Sequence, residues 1–137
     1  PSRPENHFVI DPTKWDFYAM DCYRIVGENT RAAEHAHEIL RLSECPDGSN
    51  RSPMRASEAH LTLAIVALRE GDIDGATQWG HKAFDIDRKS IKSLSLIADE
   101  LHHEVRTRYH GDPAASPVTD TLAAFYASIA ARQPGRI

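Results

Sequence analysis

Apolar side chains recur along this chain at steps of three and four, the period of a helix that buries one face. The pattern is clearest from Met54 to Asp87. Ala56, Ala59, Leu63 and Ala67 form one row, and Leu61, Ala64, Ile65 and Leu68 widen it. Ser52-Pro53 supplies a cap followed by a proline at the first helical position, where the missing N–H costs nothing. Gly71 ends the helix in the left-handed conformation that glycine tolerates. Asp72 caps a second helix, and Asp74 suits the positive end of its dipole. Ile73, Ala76, Trp79, Gly80, Ala83 and Phe84 share one side of that helix. Small residues at 64, 76, 80 and 83 let the two backbones approach closely.

The same reading extends over the rest of the chain. Residues 1–10 form a polar, proline-bearing tail and a short apolar lead-in, His7-Phe8-Val9-Ile10. Asp11-Pro12 starts a hairpin over 13–42, broken at Gly27. Its first helix is expected to bury Trp15, Ala19, Cys22 and Val26, flanked by Tyr18 and Ile25. Its second is expected to bury Ala32, Ala33, Ala36, Ile39 and Leu40. Residues 44–53 are turn-rich. The second hairpin spans 53–87. A helix over 89–109 carries Ile91, Leu94, Ile97, Leu101 and Val105, and lacks a matched partner. A last helix over 117–132 carries Val118, Leu122, Phe125, Tyr126 and Ile129, and 133–137 is a tail. Six helices and no strand are expected, in one helical domain over 11–132.

The two hairpins are an internal repeat. Gly27-Glu28 matches Gly71-Asp72, Ala32 matches Ala76, Ala36 matches Gly80, and Ile39 matches Ala83. The second hairpin resembles a tetratricopeptide repeat, a helix–turn–helix of 34 residues with small and apolar positions at fixed offsets. Leu63 and Ala64 fall on its Leu-Gly positions, and Ala76 and Ala83 on its alanines. His60, Ala67, Gly80 and Arg88 depart from its Trp, Tyr, large aromatic and closing Pro. The resemblance implies an all-α, tetratricopeptide-like array of about six helices, wound as a right-handed α-solenoid.

Composition narrows the function classes. Apolar residues make up 41% and charged residues 26% of 137, ordinary for a water-soluble globular chain. No apolar run is long enough to span a membrane. The net charge of −4 disfavours direct nucleic-acid binding, which needs a basic surface. Cys22 and Cys45 make no metal spacing, and a reducing cytoplasm suits them. The chain opens at Pro1 rather than Met, which leaves open an upstream segment.

Three stretches carry a wider resemblance: HFVIDPTKWDFYAMDCYRIVGENTRAAEHAHEILRLS, SPMRASEAHLTLAIVALREGDID and DRKSIKSLSLIADELHHEVRTRYHGD. Together, over about 7–112, they resemble the C-terminal tetratricopeptide-like region of actinobacterial transcriptional regulators with an N-terminal Cro/C1-type helix-turn-helix. That resemblance implies a cytoplasmic, non-catalytic domain that senses a peptide, protein or small molecule. DNA would be reached only through the separate N-terminal domain, which these residues do not contain.

In such arrays ligands lie on the concave surface of the first helix of each hairpin. That places Tyr18, Asp21, Arg24, Glu58, Leu61, Ile65 and Arg69 as candidate contacts, with Lys14, Phe17, Ile25, Thr62, Leu68, Ser93, Ile97 and Glu100 around them. Mixed charge with aromatics suits an extended peptide or an amphipathic helix. The competing reading is that these positions pack against neighbouring helices. A second reading of the whole chain is a structural homo-oligomer or adaptor, paired through Leu122, Phe125, Tyr126 and Ile129 of the last helix. The third, an enzyme, finds no GxSxG, P-loop, GxGxxG or HExxH motif, so neither catalytic residues nor a cofactor are expected. His35-x-His37 and His102-His103 point to different sides of their helices, so no metal site is expected. Trp15 and Trp79 are expected in the core.

Overall fold

The computed structural model describes residues 12–43, 53–85 and 94–131. Six α-helices occupy them: α1 (Pro12–Val26), α2 (Asn29–Ser43), α3 (Pro53–Arg69), α4 (Ile73–Phe84), α5 (Ser95–Arg108) and α6 (Ser116–Ala130). A 3₁₀ turn, Pro113–Ala115, leads into α6, and no strand occurs among the described residues. The expected lead-in at 7–10, the loop at 44–52 with Cys45, and the start of the fifth helix at 89–93 lie outside the described residues.

The two expected turns have the same geometry. Gly27 and Gly71 sit at φ 85° and 82°. The Glu28 N–H donates to the Tyr23 carbonyl (2.8 Å) and the Gly27 N–H to the Arg24 carbonyl (3.2 Å). The Asp72 N–H donates to Ala67 (2.8 Å) and the Gly71 N–H to Leu68 (3.1 Å). This is the paired closure of a Schellman motif, which satisfies carbonyls that a helix end leaves bare. Asp72 then caps α4 by accepting from the Gly75 N–H at 2.9 Å. The residues matched between the hairpins share a fate: Ala32 with Ala76, Ala36 with Gly80, and Ile39 with Ala83 are all buried.

α3 is the central element. Every residue from Leu61 to Leu68 is buried, and α1, α2, α4 and α5 all pack on it. A helix apolar on every side belongs inside. One core, between α1, α2 and α3, contains Met20, Ala36, Ile39, Ala59 and Leu63. The other, between α3, α4, α5 and α6, runs from Leu61 and Leu68 to Leu101, Leu122 and Phe125.

Two expectations are corrected here. The fifth helix is not unmatched: Gly111 follows it at φ 71°, Asp112 caps the next turn, and α6 contacts both α5 and α4. The inward face of α1 is the opposite of the one expected. Met20 and Arg24 point inward, while Trp15 and Val26 are more than half exposed and Cys22 carries a free, exposed thiol. Periodicity identified an apolar row on α1, but Met20 fits the α2–α3 crevice and the row of larger side chains faces out.

Replacing either turn glycine tests the shared closure. No atom stands within 4 Å of a Cβ added at Gly27 or Gly71, so only the backbone conformation resists a side chain. Gly27→Ala and Gly71→Ala should each cost about 1–2 kcal/mol in urea unfolding. A neutral result at either site would show that the closure is not strained by a Cβ.

Candidate functional site

The polar residues expected to line a binding groove are gathered in one place, between α1, α3 and α5. Arg24 is 2% exposed. Its Nε and Nη2 donate to the two carboxylate oxygens of Glu100 on α5 (2.9 and 3.1 Å). Its Nη1 donates to Asp21 (2.6 Å) and to the Thr62 hydroxyl on α3 (2.9 Å). Burial alone would lower the guanidinium pKa, but the Glu100 and Asp21 carboxylates outweigh it and hold the pKa above its ordinary value. A two-pronged arginine–carboxylate pair fixes direction as well as distance, so this one side chain sets three helices against each other.

Arg69 repeats the device one step along. It donates to Glu104 on α5 (3.0 Å), to Asn29 (3.1 Å) and to the backbone carbonyl of Arg24 (2.8 Å). Its charge therefore lies at the negative end of α1. Tyr109, at the C-terminus of α5, does the corresponding work for α3 by donating to the Leu68 carbonyl at 2.6 Å. Arg69 and Tyr109 each stand two residues before a turn glycine. Each bonds the carbonyl three residues before the turn glycine of the preceding hairpin.

These contacts correct the expected ligand set. Leu61 and Ile65 are fully enclosed in the core and cannot touch a ligand. Arg24 and Arg69 donate to neighbouring helices, the competing reading of those positions, and Asp21 accepts from Arg24 on its own helix. Ser93 lies outside the described residues. Glu58 is half-buried beside Asp21; burial, then the Asp21 charge, pushes its carboxyl up to about 7 despite Arg24 and Arg55. The oligomerisation set is corrected as well. Leu122 and Phe125 are buried, and Phe125 stacks on Phe84 at 4.3 Å to join α6 to α4. Tyr126 donates to Asp99 at 2.6 Å, and Ile129 packs on the core. Burial and that carboxylate raise the Tyr126 hydroxyl pKa well above its usual range.

What the surface offers instead is apolar. Trp15, Tyr18, Ile25 and Val26 on α1 are 60%, 57%, 68% and 70% exposed, and Leu96 on α5 is 79% exposed. Ile25 and Leu96 border one depression of ≈ 380 Å³, floored by Arg69, Glu100, His103 and Glu104. Of these apolar residues Tyr18 was a candidate contact and Ile25 was expected among the groove positions around it. Leu96 was legible as an apolar residue off the inward row of its helix, a signal that periodicity alone discards. A second depression, ≈ 360 Å³ between α5 and α6, mixes His102, Arg106 and His110 with Asp112 and Asp120 and so favours neither sign of charge.

The histidines offer no metal site among the described residues. His35 pairs with Asp16 across α1 and α2 at 2.7 Å. His60 stacks on Trp79, and burial and Lys82 lower its pKa to about 4, so the ring is neutral at pH 7. Trp79 itself is only partly buried, with Lys82 over its ring. No described helix is long and apolar enough to cross a membrane. No family model, curated protein or solved structure matches this chain.

Two variants separate structural from surface charge. Arg24→Ala should cost about 3 kcal/mol in chemical unfolding, because it removes the buried cation that Asp21, Thr62 and Glu100 share. Arg108, half exposed on the same Glu104 carboxylate, should cost less than ~1 kcal/mol when changed to Ala. Equal costs would mean that the network does not hold the helices.

Glu58 supplies a pH test. Between the ordinary carboxyl pKa of 4.5 and its folded value of about 7, the folded chain keeps a proton that the unfolded chain has released. Stability from this group therefore falls as pH rises through that window and is level above it. Glu58→Gln should remove the slope, raising the melting temperature relative to the parent at about pH 8 but not at about pH 4. Parallel pH profiles for parent and variant would rule out a protonated Glu58.

Proposed function

We propose that this chain is a non-catalytic protein-interaction domain that binds a helical partner on the apolar face of α1 and the adjoining α5 depression. The carrying observation is that Trp15, Tyr18, Ile25, Val26 and Leu96 are each more than half exposed, with Ile25 and Leu96 bordering that depression. Contiguous exposed apolar surface is expensive to leave in water, and on a folded chain it marks an interaction surface. The charged floor is spent on the α1–α3–α5 ties, so specificity rests on shape and apolar contact rather than on a charge clamp.

The setting we propose is the regulatory half of a transcriptional regulator, in the cytoplasm, with DNA binding by a separate helix-turn-helix. The sequence resemblance over about 7–112 supports that setting. A tetratricopeptide-like stacking of three hairpins is our reading of the fold. It is supported by the matched turns at Gly27 and Gly71, the third glycine at 111, and the equivalent bonds made by Arg69 and Tyr109 to the preceding hairpin.

A photo-reactive residue in place of Leu96, expressed in the host cell, tests the surface. A discrete protein adduct is expected that disappears when Ile25→Asp is added, and none from the same residue in place of Gln78 on exposed α4 surface. The reading is overturned by adducts that do not depend on Ile25, or by their absence.

A further inference from the structure

The exposed face of α1 departs from the stacking pattern of the other hairpins at two positions. Two residues before the turn glycine, α3 has Arg69 and the end of α5 has Tyr109, each donating to a carbonyl of the preceding hairpin. α1 has Ile25 there, which cannot donate. Matched through the turn glycines, Trp15 stands where α3 has Ala59, a residue with no exposed surface that lets α3 approach α2. An indole at that position keeps a neighbouring helix from approaching as closely. The face of α1 is therefore unsuited to one more hairpin stacked in the same way, and suited to a different apolar partner.

The order of its residues says which. Trp15, Tyr18, Cys22 and Ile25 are spaced three, four and three, the a and d positions of a two-helix seam. From these positions we infer that two copies of this chain pair through antiparallel α1 helices. The inference rests on the reading of this face as an interaction surface.

In that arrangement Trp15 lies against the partner's Ile25, and Tyr18 against the partner's Cys22. Each layer sets a large side chain against a smaller one. Trp15 and Ile25 are ten residues apart, about 15 Å along a helix. Trp15 of one copy is then carried to the depression between Ile25 and Leu96 of the other, ≈ 380 Å³ in volume and roomy enough for an indole. Asp99, an exposed carboxylate on its wall, offers an acceptor for the indole N–H. Knob and hole lie on the same molecule, as a two-fold interface requires.

Charge agrees with the direction. Lys14, near the start of α1, and Glu28, just past the Gly27 turn, are both exposed at opposite ends of the stripe. Antiparallel pairing brings each to the other's partner copy, whereas parallel pairing sets lysine against lysine and glutamate against glutamate. The apolar side chains at stake expose on the order of 600 Å² per copy, near the ~800 Å² per partner of a standard stable interface. The helix-capping ends of α1 also meet with opposed dipoles.

Sedimentation equilibrium of the full chain over about 1–100 μM tests the pairing. A dimer is expected. Trp15→Ser and Leu96→Asp should each weaken it about tenfold or more, as truncating a central aromatic anchor does. Both are surface changes, so circular dichroism should stay that of the parent. Lys14→Glu and Glu28→Lys should each weaken it, and the double variant should recover it, which a merely structural role would not produce. In a Cys45→Ser background, Tyr18→Cys should give a reducible dimer by joining Cys22 of the second copy. A monomer throughout the range overturns the inference, as does a dimer indifferent to Trp15→Ser and Leu96→Asp. A monomer whose Cys22 is closed to a maleimide also overturns it and points to residues 1–10 as the cover. A monomer that keeps an Ile25-dependent photo-adduct from position 96 with another protein overturns the self-pairing and leaves the interaction surface standing.

Discussion

Residues Leu61 to Leu68 leave no side of α3 in contact with water, so the helix can exist only if other elements enclose it on every side. The surrounding helices meet that demand in different ways. α4 folds back through the Gly71 turn, α2 and α1 close one flank around Met20 and Leu63, and α5 closes the other around Leu101. Burying one such leucine or isoleucine is worth about 1.5–3 kcal/mol, and α3 offers several in succession. α6 does not touch this demand directly to the same degree; it seals α4 through the Phe84–Phe125 stack.

Apolar burial does not choose how far α1 and α5 slide along α3, because it has no direction. The polar ties do. Arg24 reaches Asp21, Thr62 and Glu100 at once, and Arg69 reaches Glu104 and the end of α1. A shift of one residue, about 1.5 Å of rise, would break the two-pronged contact with Glu100. The surface that a ligand-binding groove would use is thus occupied by the interactions that set its shape. Glu58 also lies near this layer, and burial and Asp21 push its carboxyl up to about 7 against the pull of Arg24 and Arg55.

The described fold is finished at one end and open at the other. At α6 the aromatic and aliphatic row turns inward and is covered. At α1 the comparable row turns outward, beside Leu96 and a depression that its own chain leaves unfilled among the described residues. This asymmetry carries the functional reading, because α2 and α3 pack on the Met20–Arg24 side of α1 and leave its other row outward.

The sequence alone determined what is local. Helix number and type, the glycine turns at 27 and 71, the Asp72 cap and the matched small residues of the two hairpins all follow from propensity, capping and period, which act within a few residues. Tertiary structure decided what depends on partners far along the chain. Period cannot say which of two apolar rows on α1 faces in, and the crevice between α2 and α3 selected Met20 over Trp15. Residue type cannot say whether an arginine is a ligand contact or a tie; Arg24 became a tie because Glu100, 76 residues away, is brought within 2.9 Å of it. For the same reason Leu122 and Phe125 went from exposed candidates to core, and Leu96, unremarkable in the sequence, became part of the surface. Each of these outcomes turns on the distance between residues that only the packing of helices brings together.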